Sequence, residues 1–270
     1  EEEFRGSWPD RFDYAYVKKQ YDKAVLGGKV ETFNQELMLR IMSDEDRLVR
    51  ESEIRWYARD LILKNKGKFN FYITTDFATS TKQSADFSVI SVWALNNNGD
   101  WFWVDGLVKR QLIDELFRLA QIYKPQQVGI EVTGQQGGFI QWIQTQMMER
   151  NIYFPLASEG NDSKPGIRPN TNKMVRFNTV LPWFKAGKMY FPTEMKATPE
   201  LIEFMNELSL ASVSGFKSKH DDCIDTVSML GSLKTWRPTE EAILVQDSHS
   251  GMWDMEDHDG HGDRRASYIV

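Results

Sequence analysis

The hydrophobic pattern changes abruptly at Phe69, and this change limits the possible folds more than any other feature of the sequence. Three segments after Phe69 alternate apolar with polar residues or are apolar throughout, which is typical of half-buried and fully buried strands. These segments are residues 69–78, 87–96 and 101–108, and the last two are joined by the turn sequence Asn97-Asn98-Gly99-Asp100. A short turn between two strands of similar length predicts an antiparallel meander.

Helical and strand-like segments alternate after the meander. The spacing of apolar residues predicts helices at residues 111–123, 139–150, 173–184, 199–208 and 221–236, and strands at residues 127–133, 152–156 and 189–191. Thr198 followed by Pro199 is a typical helix start, with an N-cap and then Pro in the first turn. The order β-β-β-α-β-α-β, followed by helices, predicts an α/β fold with a mixed sheet flanked by helices.

The two ends of the chain differ from this central part. Residues 51–63 carry apolar side chains at helical spacing, so we expect residues 1–66 to be an interdomain linker that contains a helix. Residues 67–236 are the predicted α/β domain, and residues 237–270 are predicted to be an acidic, disordered tail. The abrupt acidic start without Met suggests a piece of a longer protein.

Cysteine content and hydropathy exclude several classes of protein. The chain has a single cysteine, Cys223, so it forms no internal disulfide and no Cys-x-x-Cys metal knuckle, which favours a reducing, intracellular setting. No apolar run approaches the roughly 20 residues that span a bilayer, and the acidic start is unlike a signal peptide. We expect a protein without a membrane partner, with Cys223 as a core thiol and the nine tryptophans as core residues.

The net charge of -6 argues, taken alone, against a nucleic-acid partner. The acids are unevenly distributed, however. Residues 237–270 carry 8 acids and 3 bases, whereas residues 66–236 carry 17 acids and 18 bases. If five of these central acids bind metal ions, the rest of the segment is basic. This pattern indicates a basic surface around an acidic site.

Acidic residues stand at the ends of two predicted buried strands. Asp76 follows Phe71, Ile73 and Thr75, and Glu131 ends the strand that contains Val128 and Ile130. Burying a carboxylate without a partner is costly, so each acid needs a cation or a hydrogen-bond donor. A third group, Asp221, Asp222 and Asp225, lies at the start of a predicted helix, with Asp225 one turn after the others.

Carboxylates from two strands and one helix can hold two divalent cations such as Mg²⁺. Two ions about 3.5–4 Å apart activate water and stabilise the leaving oxygen in phosphodiester hydrolysis. Each acid also has a simpler interpretation. Asp76 could be a turn residue, Glu131 could pair with a basic residue, and Asp221 with Asp222 could stabilise a helix dipole. Three acids on two strands and one helix together favour the metal site.

The ordered set of motifs resembles a known family, the C-terminal nuclease domain of the large terminase subunit of tailed bacteriophages, which is ribonuclease H-like. The matching pieces are Thr75-Asp76-Phe77-Ala78, Ser84-Ala85-Asp86-Phe87-Ser88, Ile130-Glu131, residues 173–192 and His220-Asp221-Asp222-Cys223-Ile224-Asp225. The resemblance extends from about residue 69 to 236. It implies an RNase H-like α/β fold and a Mg²⁺- or Mn²⁺-dependent endonuclease that cuts concatemeric double-stranded viral DNA during packaging.

The resemblance also implies site residues and partners. It maps the catalytic, metal-binding acids to Asp76, Glu131 and Asp222, with Asp221 a close competitor of Asp222 and Asp225 a weaker ligand candidate. It implies two Mg²⁺ or Mn²⁺ ions, a portal protein, a small terminase subunit and an N-terminal packaging ATPase domain of the same polypeptide. The chain itself contains no Gly-x-x-x-x-Gly-Lys-Ser/Thr motif, so we expect no ATP binding. The implied location is the cytoplasm of the infected bacterial host, transiently at the procapsid portal.

DNA binding requires basic residues near the acids, because phosphate contacts supply most of the non-specific affinity. The candidates are Lys82, Lys164, Arg168, Lys173, Arg176, Lys217 and Lys219. Lys217 and Lys219 rank highest because they directly precede the proposed ligands; each candidate could also be a solvated surface charge. Two other functions stay open at this point. They are a Holliday-junction resolvase or transposase-like nuclease, and a non-catalytic module that docks on DNA or the portal.

Overall fold

A six-stranded mixed sheet forms the centre of the computed structural model, which describes residues 12–27, 33, 46–77, 88–109, 113–132, 137–218 and 220–240. The strands are β1 (Arg55–Tyr57), β2 (Asn70–Asp76), β3 (Ser88–Leu95), β4 (Trp101–Lys109), β5 (Gln127–Ile130) and β6 (Met189–Pro192). Their order across the sheet is β1-β6-β4-β3-β2-β5. Strands β2, β3 and β4 form the antiparallel meander, and β5 pairs in parallel with β2. The predicted α/β fold with a mixed sheet is therefore confirmed.

Seven α-helices surround the sheet in the part of the chain that the structure describes. They are α1 (Tyr14–Leu26), α2 (Asp60–Lys64), α3 (Ile113–Tyr123), α4 (Gly137–Arg150), α5 (Lys173–Lys185), α6 (Pro199–Ser209) and α7 (Asp222–Met229). None of them is long and apolar enough to cross a membrane. Helix α7 is shorter than the predicted helix at residues 221–236, because a 3-10 turn follows it at Leu230–Ser232. A small hairpin of β7 (Ala211–Ser212) and β8 (Gly215–Phe216) was not predicted.

The sheet is covered on both faces. On one face Trp93 and Trp103 pack with Phe177 of α5, Phe204 of α6 and Ile224 of α7. On the other face the core is built with α3 and α4 and contains Ile73, Ile90, Phe117 and Ile143. All eight residues of β3 are buried, as expected for a central strand with helices on both sides.

The helix predicted at residues 51–63 is correct only at its end, where α2 begins at Asp60, and is wrong for residues 51–57. This segment contains β1, which pairs in parallel with β6 at the edge of the sheet. Tyr57 is 2% exposed and donates a hydrogen bond to the carbonyl of Trp103 at 2.9 Å, and Arg59 donates to the carbonyl of Val104 at 2.7 Å. These long-range bonds outweigh the local helical spacing. The domain boundary at residue 67 stays a prediction, and most of the tail, residues 241–270, lies outside the described residues.

Two further predictions need correction. The strand at residues 152–156 is reduced to one parallel bridge between Leu156 and Val128. The tryptophans are not all core residues, because Trp142 and Trp236 are 43% and 50% exposed. Cys223, by contrast, is buried as predicted, and its burial raises the pKa of the thiol well above the ordinary value.

Candidate active site

Two neighbouring parallel strands place Asp76 and Glu131 side by side. The register of β2 and β5 pairs Thr75 with Ile130, and each acid follows one of these residues. The hydroxyl of Thr75 donates to the carbonyl of Gly129 at 3.0 Å, which ties the two strand ends together. Because the carboxyl ends of parallel strands lie at the same edge of a sheet, both acids lie at one edge, where α/β proteins commonly bind ligands.

Helix α7 packs against this edge from the face that also carries α5 and α6. The hydroxyl oxygen of its Thr226 lies 2.9 Å from the hydroxyl oxygen of Ser91 on β3, so a buried hydrogen bond holds the helix to the sheet. Gly129 allows a close approach of α7 to β5, since a Cβ there would lie 2.6 Å from the sulfur of Met229. The first turn of α7 is thereby brought to the strand ends that carry Asp76 and Glu131.

Helix α7 contributes the remaining acids. Asp221 is its N-cap residue, Asp222 is its first residue, and Asp225 follows one turn later. Asp225 is 4% exposed, whereas Asp221 and Asp222 are partly exposed. The tertiary structure therefore gathers at one edge the five acids that the sequence predicted.

Two basic residues on α5 bridge these acids. Lys173 Nζ lies 2.8 Å from Asp221 Oδ1 and 2.6 Å from Asp225 Oδ2. Arg176 lies one turn later and places Nη1 at 2.8 Å from Glu131 Oε2 and Nη2 at 3.2 Å from Asp225 Oδ1. Lys173 and Arg176 were predicted to contact DNA, and that role stays a prediction. In the structure they pair with three of the five acids.

The acids act as one electrostatic unit. Burial and the negative charges of three neighbouring acids together raise the pKa of Asp76 to about 7, while the charge of Lys173 opposes the rise. The contributing acids are Asp225, Asp222 and Glu131. Burial also raises the pKa of Asp225, although the charges of Lys173 and Arg176 partly compensate. Asp76 thus lies in a negative potential that a bound cation would relieve.

The donor set fits a divalent metal ion in charge and in chemistry. Carboxylate oxygens from two strands and one helix are the ligands that Mg²⁺ prefers. Among the described residues no three Asp, Glu, His or Cys side chains converge closely enough to hold one ion. Lys173 and Arg176 are bonded to three of the acids. Holding one ion with three of these acids therefore requires their side chains to move closer together.

Three of the other predicted DNA contacts are exposed residues on loops. Lys164 and Arg168 are exposed on the loop before α5, and Arg168 lines the same cavity as Arg176. Lys217 is exposed directly after the hairpin of β7 and β8. Lys82 and Lys219 lie outside the described residues. The DNA-binding role of all these residues stays a prediction.

Sequence reasoning missed one acid beside the site, Glu207 of α6. Its side chain is buried, with 1% of the residue exposed, and it accepts a hydrogen bond from the backbone N–H of Ile224 at 3.0 Å. The N-cap of α7, Asp221, makes no capping bond with its own side chain. Glu207 therefore caps α7 from a neighbouring helix. The signal in the sequence was an acid on the apolar stripe of α6, which contains Leu201, Phe204 and Leu208.

We expect Glu207→Ala to lower the free energy of unfolding by about 1–3 kcal/mol, because the buried N–H of Ile224 loses its acceptor. Glu207→Gln keeps an acceptor oxygen and should lose less. Burial raises the pKa of Glu207 to about 8 from 4.5, so the wild type loses stability as the pH rises between these values. Urea unfolding in EDTA at pH 5 and pH 9 tests both effects. The same pH dependence in the Gln variant as in the wild type would contradict the assignment.

Several solved structures are similar to this fold. The chain is similar to terminase nuclease domains. It matches the human cytomegalovirus terminase nuclease domain with a TM-score of 0.47 and 14% identity, over 64% of this chain and 87% of that one. It matches the large terminase nuclease from thermophilic phage G20c with bound cobalt with a TM-score of 0.47 and 14% identity, over 70% of this chain and 98% of that one.

The magnesium-bound structure of the phage G20c nuclease is matched with a TM-score of 0.38 and 17% identity, over 61% of this chain and 81% of that one. No protein-family model and no curated protein matches the sequence. Identities and TM-scores at this level carry no information about activity. The chemistry of this chain must therefore be argued from its own acids and their surroundings.

Proposed function

We propose that this chain is a metal-dependent DNA endonuclease domain of the large-terminase type. One observation carries the proposal. Asp76 and Glu131 lie at the ends of two parallel strands, and the charges of Glu131 and of the α7 acids Asp222 and Asp225 raise the pKa of Asp76. Buried acids that raise one another's pKa are typical of functional sites rather than of a stabilising core. Among acidic sites, carboxylates from several rigid elements favour Mg²⁺- or Mn²⁺-dependent phosphodiester hydrolysis.

Each residue has a specific role in this proposal. Asp76, Glu131 and Asp222 would hold two divalent ions, with Asp221 and Asp225 as further oxygen donors. The bound ions would activate the attacking water and stabilise the leaving oxygen. Lys173 and Arg176 orient the acids through their ion pairs and keep positive charge beside the place where a DNA phosphate binds.

Asp222 is favoured over Asp221 as the main ligand from α7. The charge of Asp222 contributes to the raised pKa of Asp76, so the two carboxylates interact electrostatically and a shared cation would relieve their repulsion. Asp221 is bonded to Lys173 at 2.8 Å. Asp221 is therefore better placed to pair with Lys173 than to act as the main metal ligand.

The biological setting is also part of the proposal. The sequence resemblance supports cutting of concatemeric double-stranded DNA during genome packaging, in the cytoplasm of an infected bacterium and transiently at the procapsid portal. It supports the portal protein, the small terminase subunit and an N-terminal packaging ATPase domain as partners.

Digestion of supercoiled plasmid with Mg²⁺, Mn²⁺ or EDTA tests the activity and the choice between the two acids. We expect nicking and linearisation that require metal, an at least 100-fold slower reaction for Asp222→Asn, and a smaller loss for Asp221→Asn. Equal losses would remove the distinction between the two residues.

The same assay separates the proposal from its rivals. No cutting by well-folded protein with any ion would contradict a nuclease in the isolated chain and would favour a docking module. A strong preference for four-way junctions would favour a resolvase. Both outcomes are distinguished by comparing plasmid, linear duplex and junction substrates at equal protein concentration.

A further inference from the structure

A row of aromatic side chains leads from the candidate active site to the surface. Phe77 directly follows Asp76, and its ring centroid lies 5.1 Å from that of Phe139 on α4. The ring of Phe139 lies 5.8 Å from that of Trp142, which is 43% exposed. We refer to Phe77, Phe139 and Trp142 as the aromatic row. Its inner residue follows Asp76 in the chain and packs on the sheet face that carries α3 and α4, and its outer end is open to solvent.

The outer part of the aromatic row is not required by the core. Helix α4 contacts the core through Ile140, Ile143 and Met147, which are at most 6% exposed. Phe139 and Trp142 are three residues apart and so lie together on the helix surface. The inner two rings pack against the edge of the core, whereas Trp142 keeps much of its indole exposed. An exposed aromatic surface near a functional site indicates a ligand-binding surface.

The part of α4 around the aromatic row carries no negative charge. Helix α4 contains no acidic residue between Gly137 and Met148, and its polar residues there are mainly glutamines. This part of the helix therefore adds no repulsion to an approaching strand of DNA. Bases stack on aromatic side chains in nucleic-acid-binding proteins, and stacking tolerates any sequence because every base has a flat face. A base inside an intact duplex is already stacked, so the ligand must be unpaired.

We propose that the aromatic row binds an unpaired nucleobase of the DNA strand whose phosphate lies at Asp76. This inference rests on the proposed nuclease function and adds a substrate class to it, namely DNA that is frayed, bulged or locally melted beside the cut. A protein partner on the same surface is the alternative occupant. DNA is favoured because the part of α4 from Gly137 to Met148 carries no acid that would repel it and lies near the proposed nuclease site.

The binding of two DNA duplexes by the full chain in EDTA tests this inference without requiring cleavage. One duplex carries 2-aminopurine as an unpaired, bulged base, and the other carries it paired. We expect the bulged duplex to bind about 5- to 100-fold more tightly, from the usual strength of base stacking on an aromatic side chain. We also expect the fluorescence of the bulged 2-aminopurine to be quenched on binding.

Three variants make the test specific. Trp142→Ala should remove most of the preference and the quenching, whereas Trp142→Phe should keep most of both. Tyr153→Ala is the control, because Tyr153 is 66% exposed and lies beyond the other end of α4. Trp142 is exposed, so its replacement should leave the thermal unfolding temperature unchanged.

Several outcomes would overturn the inference. Equal binding of the two duplexes by the wild type would do so, as would unchanged preference and quenching in Trp142→Ala. If Trp142→Ala bound DNA normally but no longer bound the portal or the small subunit, the aromatic row would be assigned to a protein partner instead. A stacking preference without plasmid cleavage would contradict only the nuclease, and cleavage without the preference would contradict only the stacking site.

Discussion

We expect Asp76→Asn to slow the proposed metal-dependent cleavage of DNA by at least about 1000-fold while the protein stays folded; this loss corresponds to about 4 kcal/mol of transition-state stabilisation. The reason is that an amide supplies neither the charge nor the oxygen pair that a divalent ion takes from a carboxylate. The rate of plasmid linearisation in Mn²⁺ measures the effect.

The same variant should be more stable than the wild type at pH 8 in EDTA. Burial and the neighbouring acids raise the pKa of Asp76 to about 7 from 3.8. An acid with a raised pKa in the folded state loses its stabilising contribution as the pH rises from the unfolded to the folded pKa. The stability gained in Asp76→Asn should therefore be present at pH 8 and absent at pH 4. Urea unfolding at the two pH values measures it.

Asp100→Asn is the matched control for Asp76→Asn. Asp100 precedes β4 at the opposite end of the sheet and pairs with Lys188 at 3.0 Å. The chemical change is the same, but the residue is remote from the acidic edge, so cleavage should be unchanged. Cutting by Asp76→Asn at the wild-type rate and at equal purity would remove Asp76 from the active site.

We expect Arg176→Met to lower the free energy of unfolding of the metal-free protein by about 3 kcal/mol, since it removes the positive partner of Glu131 and one of the two positive partners of the buried Asp225. Arg176 pairs with Glu131 and with Asp225, which is 4% exposed. Methionine fills a similar volume without the charge. We expect Mn²⁺ to recover part of the loss, because a divalent ion replaces the positive charge among the acids. Urea unfolding with and without Mn²⁺ measures both quantities.

Arg118→Met is the control for Arg176→Met. Arg118 pairs with Glu115 on the surface of α3, where the two side chains are 50% and 35% exposed, and such pairs contribute about 0–1 kcal/mol. The double variant with Asp225→Asn should recover part of the loss, because the buried charge is removed together with its partner. Equal destabilisation by the Arg118 and Arg176 variants would show that the acids of the site do not depend on Arg176.

The local hydrophobic pattern of the sequence was sufficient to predict the central strands of the fold. The period-two and fully apolar segments predicted β2, β3 and β4 within two residues at each end, because alternation of side chains is a local property of a strand. Thr198 and Pro199 correctly predicted the start of α6. The acids at the ends of β2 and β5 could be predicted to meet, since parallel neighbours end at the same edge.

Contacts between distant residues decided the rest. Residues 55–57 have a helical spacing, but β6 was available as a parallel partner, so they form a strand. Arg176 meets Glu131 and Asp225 across separations of 45 and 49 residues, and Glu207 meets Ile224 across 17. Spacing along the chain carries no information about such pairs, because packing of the helices on the sheet determines them. The sequence alone therefore determined the order of the elements and the acids of the candidate site. Only the tertiary structure decided which basic residues pair with those acids, which residue caps α7 and which aromatic side chains stay exposed.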